Sequence, residues 1–215
     1  MSRSMAVVAL LTLTAMMLWG CNQPTDNGGD PDPDDWALRT SPQNVLENLT
    51  NAYENKDVEH YMDCLAADFT FWMNEQEVID HPEYLPGYWD KASERQIHEG
   101  MFGEGGAETI TLTLTQVGDP IEIDPPEPGD PPHWEYNESV DLRVHVHESG
   151  VPTTYWATAP SKFEFRIDED QVGPNGETLW EIVNWHDEQA GREVVATDES
   201  TEVISFGRAK AMFLP

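Results

Sequence analysis

The spacing of apolar residues changes along this chain from a helical period to a strand period, and this change restricts the fold more than any other feature. From residue 41 to 103, apolar side chains mostly recur every three or four positions, which places them on one face of a helix. The first segment follows Ser41-Pro42, a capping hydroxyl with proline at the first helical position. Asp57 can cap a second segment, and a third spans residues 89–101. These patterns predict three amphipathic helices.

Apolar and polar residues alternate at residues 69–73 and in most of the apolar segments after residue 103. This alternation is typical of strands with one buried face. The last such segment carries apolar groups on both faces, so we expect it to be covered on both sides. Residues 120–132 are rich in proline and aspartate and predict a long loop inside the domain. The predicted strands lie at residues 69–73, 110–114, 142–146, 163–167 and 180–187.

Helices followed by a run of strands indicate an α+β fold, with three N-terminal helices packed on a strongly curved antiparallel sheet. Particular residues of this plan resemble the SnoaL-like and nuclear transport factor 2-like superfamily. The resemblance covers about residues 41–189. Its opening part is carried by Ser41-Pro42, Val45-Leu46, Leu49, Ala52-Tyr53, Asp57, Tyr61, Leu65 and Asp68-Phe69, and its closing strand by Trp180-Glu181-Ile182, Trp185 and Asp187.

The resemblance implies a cone-shaped fold with a pocket between the helices and the concave sheet. It also implies frequent dimerisation through the outer face of the sheet, and a structural role for Asp68. It implies little about activity, because this fold hosts enzymes, transport factors and binding modules.

The first twenty residues have the layout of a signal peptide. Arg3 precedes an apolar run at residues 5–19, which is shorter than the ~20 residues that a bilayer crossing needs. The segment Leu18-Trp19-Gly20-Cys21 resembles a lipobox, so we predict cleavage before Cys21 and lipid attachment to it. An ordinary secretory signal and an N-terminal membrane helix are the alternatives. Residues 22–35 contain no large apolar side chain and predict a disordered tether.

These features divide the chain and predict its location. We expect a lipid-anchored protein of the bacterial cell envelope, at the outer membrane and facing the periplasm or the cell surface. Residues 203–213 are apolar and locally basic, so we predict that the C-terminal tail docks on the domain or on a second subunit, as a strand and then a short helical turn. The predicted parts are a signal peptide (1–20), a disordered acidic linker (21–40), the folded domain (41–191) and the tail (192–215).

Composition excludes some functions. The formal net charge is -30, which repels the phosphates of nucleic acids and argues against DNA or RNA as partners. If Cys21 carries lipid, the second cysteine, Cys64, has no intrachain disulfide partner. Its neighbours Met62 and Leu65 indicate a buried core thiol rather than a nucleophile. The sequence indicates no cofactor.

Two residues are weak candidates for catalysis. Asp187 could face the interior of the cone, where burial would raise its pKa and suit it to act as a base. The alternative is a strand-end aspartate paired with a backbone N–H or a basic residue. His98 could line the pocket as an acid–base group, although Glu94 and Glu99 beside it favour a polar, exposed helix face.

The sequence also offers candidate binding residues. His145 and His147 lie two apart on a predicted strand and share a face, as two ligands of a metal could, although they lie opposite the apolar face. A third ligand would have to come from elsewhere, and Asp141, Glu148 and His133 are the candidates. The candidate aromatic residues for a ligand pocket are Tyr53, Tyr61, Trp72, Trp156 and Trp185.

The sequence therefore favours a lipid-anchored module that is not an enzyme and that binds a small apolar ligand or assembles with a partner, with a homodimer through the sheet as one form of assembly. One alternative is an isomerase, dehydratase or hydrolase of the SnoaL or ketosteroid isomerase kind, using a pocket carboxylate or histidine. Another is a purely structural lipoprotein whose cone is filled. An enzyme would need at least two convergent polar groups in the pocket.

Overall fold

The structure is a computed structural model that describes residues 36–125, 131–148, 150–188 and 201–214. The predicted signal peptide, Cys21 and residues 22–35 lie outside the described residues. Among the helices of the described ranges, none is long and apolar enough to span a membrane.

The helices begin where the sequence supplies capping side chains. The Ser41 hydroxyl accepts a hydrogen bond from the Asn44 N–H at the start of helix α1, and Asp57 caps α2 in the same way. Helix α1 ends at Asn55, and the next residue, Lys56, adopts a left-handed conformation with φ 53°. The helices are α1 (Pro42–Asn55), α2 (Val58–Asp63), α3 (Glu75–Asp80), α4 (Lys91–Phe102) and α5 (Phe206–Ala211), and a 3-10 turn spans Pro82–Tyr84.

The segment between residues 74 and 90 differs from its prediction. Residues 75–80 form the short helix α3, and Trp89 lies in a strand rather than at the start of the third long helix. That helix begins at Lys91 because the Asp90 carboxylate accepts the Ser93 N–H and so caps it.

The eight strands within the described ranges form one sheet in the order β2-β1-β7-β6-β5-β3, with β4 paired to β5 and β8 paired to β6. Most pairings are antiparallel, but β1 pairs with β7 and β6 with β8 in parallel. The sheet is therefore mixed, which corrects the prediction of a purely antiparallel sheet. The strands are β1 (Leu65–Trp72), β2 (Tyr88–Asp90), β3 (Thr109–Gln116), β4 (Ile121–Ile123), β5 (His133–Glu148), β6 (Val151–Val172), β7 (Thr178–Asp187) and β8 (Thr201–Val203).

The core lies between the helices and one face of the curved sheet. Along β5 and β6, every second side chain is buried, as in Leu142 and Val144 or Phe163 and Phe165. The predicted α+β cone is confirmed: long helices cover the concave face of a strongly curled sheet, which is the nuclear transport factor 2-like architecture.

The C-terminal segment packs inside this cone. Strand β8 pairs with Thr154–Trp156 of β6, and α5 follows directly. Phe206 of α5 is fully buried, and its ring centroid lies 4.6 Å from that of Trp185. Helix α5 therefore fills space between α4 and the concave face of the sheet.

Candidate functional site

A buried ion pair joins helix α4 to the C-terminal helix. Lys210 Nζ lies 2.6 Å from Glu94 Oε1, and both side chains are completely buried. Glu94 occupies the same stripe of α4 as Ile97, His98 and Met101, at helical spacing, and therefore points into the core.

The Glu94 carboxylate also accepts hydrogen bonds from neutral donors. The Tyr61 hydroxyl donates to Oε2 over 2.8 Å, and the Trp89 indole N–H donates to Oε1. Burial alone would raise the pKa of Glu94, but the Lys210 ammonium and His98 hold it below its ordinary value. Glu94 is thus a fixed, fully bonded anion.

Aromatic rings surround the Lys210 ammonium. Its Nζ lies 3.9 Å from the ring centroid of Phe71, 4.6 Å from Trp185, 5.4 Å from Phe206 and 5.9 Å from Trp89. Such contacts attract a cation to the negative faces of the rings, most strongly where water is excluded. We call Glu94, Phe71, Trp89 and Trp185 the ammonium cage, and Phe206 of α5 completes it.

His98 extends the buried polar network away from the cage. Its Nδ1 donates to the Glu94 backbone carbonyl over 2.8 Å, so in the neutral ring Nε2 accepts from the Tyr53 hydroxyl, 2.9 Å away. Burial lowers the pKa of His98, although the Glu94 carboxylate opposes this. His98 is therefore a neutral, bonded core histidine, and the expectation that Glu94 and Glu99 mark an exposed face is wrong for Glu94.

Asp187 also faces the interior. Its surroundings agree in part with each of the two predictions for this residue, a pocket base and a strand-end aspartate paired with a backbone N–H. The Gly207 N–H donates to Oδ2 over 2.8 Å, as expected for a strand-end aspartate paired with a backbone N–H. The other oxygen, Oδ1, has no hydrogen-bond partner within the described ranges. Burial raises the pKa of Asp187 to about 7, against the opposing effects of Gly207, Lys210 and Asn74.

The sheet places two more buried polar residues in line with Asp187. Ser161 is opposite Asp187 in the register, and Glu138 is opposite Ser161. The Ser161 hydroxyl is buried without a partner in the part of the chain that is described, and burial raises the pKa of Glu138 to about 7. Together they form a polar row across the concave face.

The structure separates the predicted pocket aromatics into two groups. Tyr53, Tyr61 and Trp185 are fully buried in the interior. Trp72 and Trp156 lie on the outer face of the sheet instead, which corrects their assignment as pocket residues. The reason is strand alternation, because the adjacent residues, at positions 71 and 155, occupy the inner face.

The outer face holds these two tryptophans in polar surroundings. Trp72 is 39% exposed and stacks on His186. Arg143 lies over the ring of Trp156, 4.9 Å from its centroid, and the Trp156 indole N–H donates to Asp141 over 3.1 Å.

His145 and His147 of β5 also lie on the outer face. His145 Nδ1 is 2.8 Å from the Thr154 hydroxyl, and His147 Nδ1 is 3.2 Å from Glu108 Oε2. An open depression of about 290 Å³ includes His145 and Glu108 in its lining. Within the described ranges, no three His, Cys, Asp or Glu side chains are grouped as a metal site would require. His133, a possible third ligand in sequence terms, instead pairs with Glu164.

Trp185 of the cage was a candidate from the sequence, but Lys210 and the other cage residues, Glu94, Phe71 and Trp89, were not. Two signals pointed to them. Glu94 sits at an apolar-stripe position of its helix, and Lys210 lies in the apolar, basic tail of a very acidic chain. The partners are 116 positions apart, so only the tertiary fold shows that they meet.

The order of helices and strands, the curled sheet and the buried interior define a protein of the nuclear transport factor 2-like fold class. No protein-family model matches this chain, and no curated protein does.

Several solved structures are similar to it at low sequence identity. A conserved protein from Planctomyces limnophilus DSM 3776 is 13% identical over 68% of this chain and 91% of that chain, with a TM-score of 0.47. A nuclear transport factor 2-like superfamily protein from Salmonella enterica Typhimurium LT2 is 14% identical over 72% and 92%, with a TM-score of 0.41. The beta subunit of benzoate 1,2-dioxygenase from Burkholderia mallei ATCC 23344 is 14% identical over 72% and 92%, with a TM-score of 0.43. These similarities concern the fold alone.

Proposed function

We propose that this protein is a lipid-anchored component of the bacterial cell envelope whose cone is a binding or assembly module and not an enzyme. One observation supports the proposal that the cone is not the site of an enzyme. The groups at the centre of the cone that could transfer protons, Glu94 and His98, are bonded to each other and to Lys210, Tyr61 and Tyr53. A general acid or base must instead reach a substrate.

The filled interior supports the same conclusion. Helix α5 takes the place between the helices and the sheet where a substrate of a cone-shaped enzyme would lie. Its residues Phe206, Ala209 and Lys210 are buried, so the Glu94 carboxylate is neutralised by Lys210 and is not exposed to solvent. Binding in this module therefore involves either the outer surface or a rearrangement of α5.

The anchor is proposed from the sequence at positions 18–21. Cys21→Ser should move the protein from the membrane fraction to the soluble fraction, and the mass of the purified protein should lose the acyl groups. Cys64→Ala is the matched control, because it removes the other cysteine and leaves the lipobox intact. The anchor would be contradicted if the Cys21→Ser variant stayed in the membrane fraction and its mass showed no loss of acyl groups relative to wild type.

An enzyme remains the second candidate, and Asp187 is the observation that favours it. Among the described residues, one oxygen of this carboxyl group has no hydrogen-bond partner, and its pKa is about 7. A general base works best under such conditions. We would incubate the full-length protein with small-molecule extracts of its host and follow turnover by mass spectrometry. Conversion by the wild type that disappears in Asp187→Asn would overturn the non-catalytic proposal. No conversion by either protein would support it.

Small apolar ligands and a homodimer through the sheet are the further proposals for what the module binds. The outer face of the sheet carries threonines, histidines and Arg143 beside its tryptophans, so a dimer through it would be a polar interface. Native mass spectrometry of the full-length protein from its own host reports bound ligand and subunit number together. A bare monomer would contradict both.

A further inference from the structure

The ammonium cage has the composition of a ligand site although a residue of the same chain occupies it. Three aromatic faces and one carboxylate converge on a single point. This combination recognises alkylammonium groups in general, because the rings and the anion both favour a cation that has been removed from water.

The buried carboxylate limits which molecules could replace Lys210. Glu94 is completely buried, and its cation is Lys210. Removing that cation without replacement would leave a charge in the interior, which is strongly unfavourable. A neutral apolar molecule would leave this charge unpaired. A molecule that takes the place of α5 must therefore bring its own positive charge.

Helix α5 is short enough to be displaced. It has six residues, and a helix of this length is not stable without tertiary contacts. Its attachments outside the cage include the three-residue strand β8 and the Gly207 N–H that bonds to Asp187. Tertiary contacts therefore hold α5 in place, and a ligand that replaces the contact between Lys210 and Glu94 would favour its local opening.

We propose that the ammonium cage is a binding site for a small primary alkylamine, which competes with Lys210 and displaces helix α5. The proposal rests on the function proposed above, a binding module, and names the chemical class of its ligand. The bound ammonium would donate to Glu94 and contact the faces of Phe71, Trp89 and Trp185. The released α5 would then expose Phe206, giving the domain a different surface in its liganded form.

The first experiment fills the space that a substitution leaves. Lys210→Ala removes three methylenes and the ammonium group, which together match n-propylammonium. The full-length variant in mild detergent is titrated with n-propylammonium, and its melting temperature is followed by tryptophan fluorescence. We expect a saturable rise. Propan-1-ol, the neutral analogue, should bind at least about tenfold more weakly, because it leaves the Glu94 charge unpaired.

Two controls make this titration specific. The double variant Lys210→Ala/Glu94→Gln lacks the anion and should lose the preference for propylammonium over propanol. Wild type should respond only at higher concentrations of propylammonium, because Lys210 competes with it for the cage. Equal responses to the amine and the alcohol, or no saturable response to either, would overturn the assignment of the cage as an ammonium site.

The second experiment tests whether an alkylamine competes with Lys210 in the wild-type protein. It tests the proposed amine site even if Lys210→Ala does not fold. Hydrogen–deuterium exchange is measured on peptides covering residues 206–211 with and without n-hexylammonium, and hexan-1-ol is the control. We expect faster exchange of these residues with the amine alone. Unchanged exchange at saturating amine, or equal acceleration by the alcohol, would overturn displacement of α5.

Failure of this proposal is distinguishable from failure of the proposed function. Loss of the anchor is read from fractionation of the Cys21→Ser variant, and catalysis is read from turnover that depends on Asp187. Neither readout depends on the response of the cage to amines.

Discussion

Replacing Lys210 with methionine should destabilise the domain by about 3–5 kcal/mol at neutral pH, the range for breaking one side of a buried ion pair. The structure supports this size. Lys210 and Glu94 are both fully buried and 2.6 Å apart, so water cannot stabilise the carboxylate that remains. Methionine keeps a similar volume against Phe71 and Trp185, so a cavity contributes little. The loss would be a large part of a typical domain stability of about 5–15 kcal/mol.

The assay is urea unfolding, followed by tryptophan fluorescence, of wild type, Lys210→Met, Glu94→Gln and the double variant. The double variant should lose much less stability than the sum of the two single losses, because it leaves no unpaired charge. A loss below about 1 kcal/mol in Lys210→Met, or additive losses in the cycle, would refute the reasoning, since buried pairs lose several kcal/mol when one partner is removed.

The pH dependence gives an independent check on the same pair. In wild type, Lys210 holds the pKa of Glu94 below its ordinary value, so this stabilisation is present above the unfolded pKa and is lost as pH falls through the folded one. Without Lys210, burial instead raises the pKa of Glu94, and the neutral acid is favoured. Lys210→Met should therefore be closer to wild type at pH 5 than at pH 8. A difference that does not change with pH would contradict a buried unpaired carboxylate.

Three further predictions concern other buried groups. Burial raises the pKa of Asp187 to about 7, so this group should reduce the stability of wild type as pH rises from about 4 to 7. In denaturation at several pH values, Asp187→Asn should show a smaller loss than wild type, because only the contribution of Glu138 remains. Burial raises the pKa of the Cys64 thiol to about 12, so iodoacetamide should alkylate it at pH 8 only after denaturation, as mass spectrometry can show. Arg166 bonds bidentately to Asp68 and also to Glu181, so thermal unfolding should show that Arg166→Ala destabilises the protein by about 1–3 kcal/mol, more than Arg166→Lys does.

Local signals explain which parts of the fold could be predicted. Ser41 and Asp57 cap their helices with their own side chains, and alternation along β5 and β6 shows which face is buried. The parallel pairing of β1 with β7 joins residues more than a hundred positions apart. No local period encodes which distant strand becomes a neighbour, or in which direction.

The site was less predictable than the fold, for a related physical reason. Tyr53, Tyr61 and Trp185 could be proposed as interior aromatics because each lies on an apolar stripe, but Trp72 and Trp156 were assigned by residue type alone, and strand parity placed them outside. A glutamate in an apolar stripe, such as Glu94, is interpreted as solvent-facing unless its cation is known. For Glu94 that cation is Lys210, which lies on α5, the last described helix.

The ion pair also explains how a tail of weak local structure can have one defined position. Many apolar residues could cover the mouth of the cone in several registers, because hydrophobic contact is not directional. The observed register places the Lys210 ammonium 2.6 Å from Glu94 and within the rings of the cage. A register that moved this cation away would leave the Glu94 carboxylate buried without its partner, which is unfavourable. Glu94 therefore selects the docked position of α5, and the same selectivity makes a competing cation the natural way to release it.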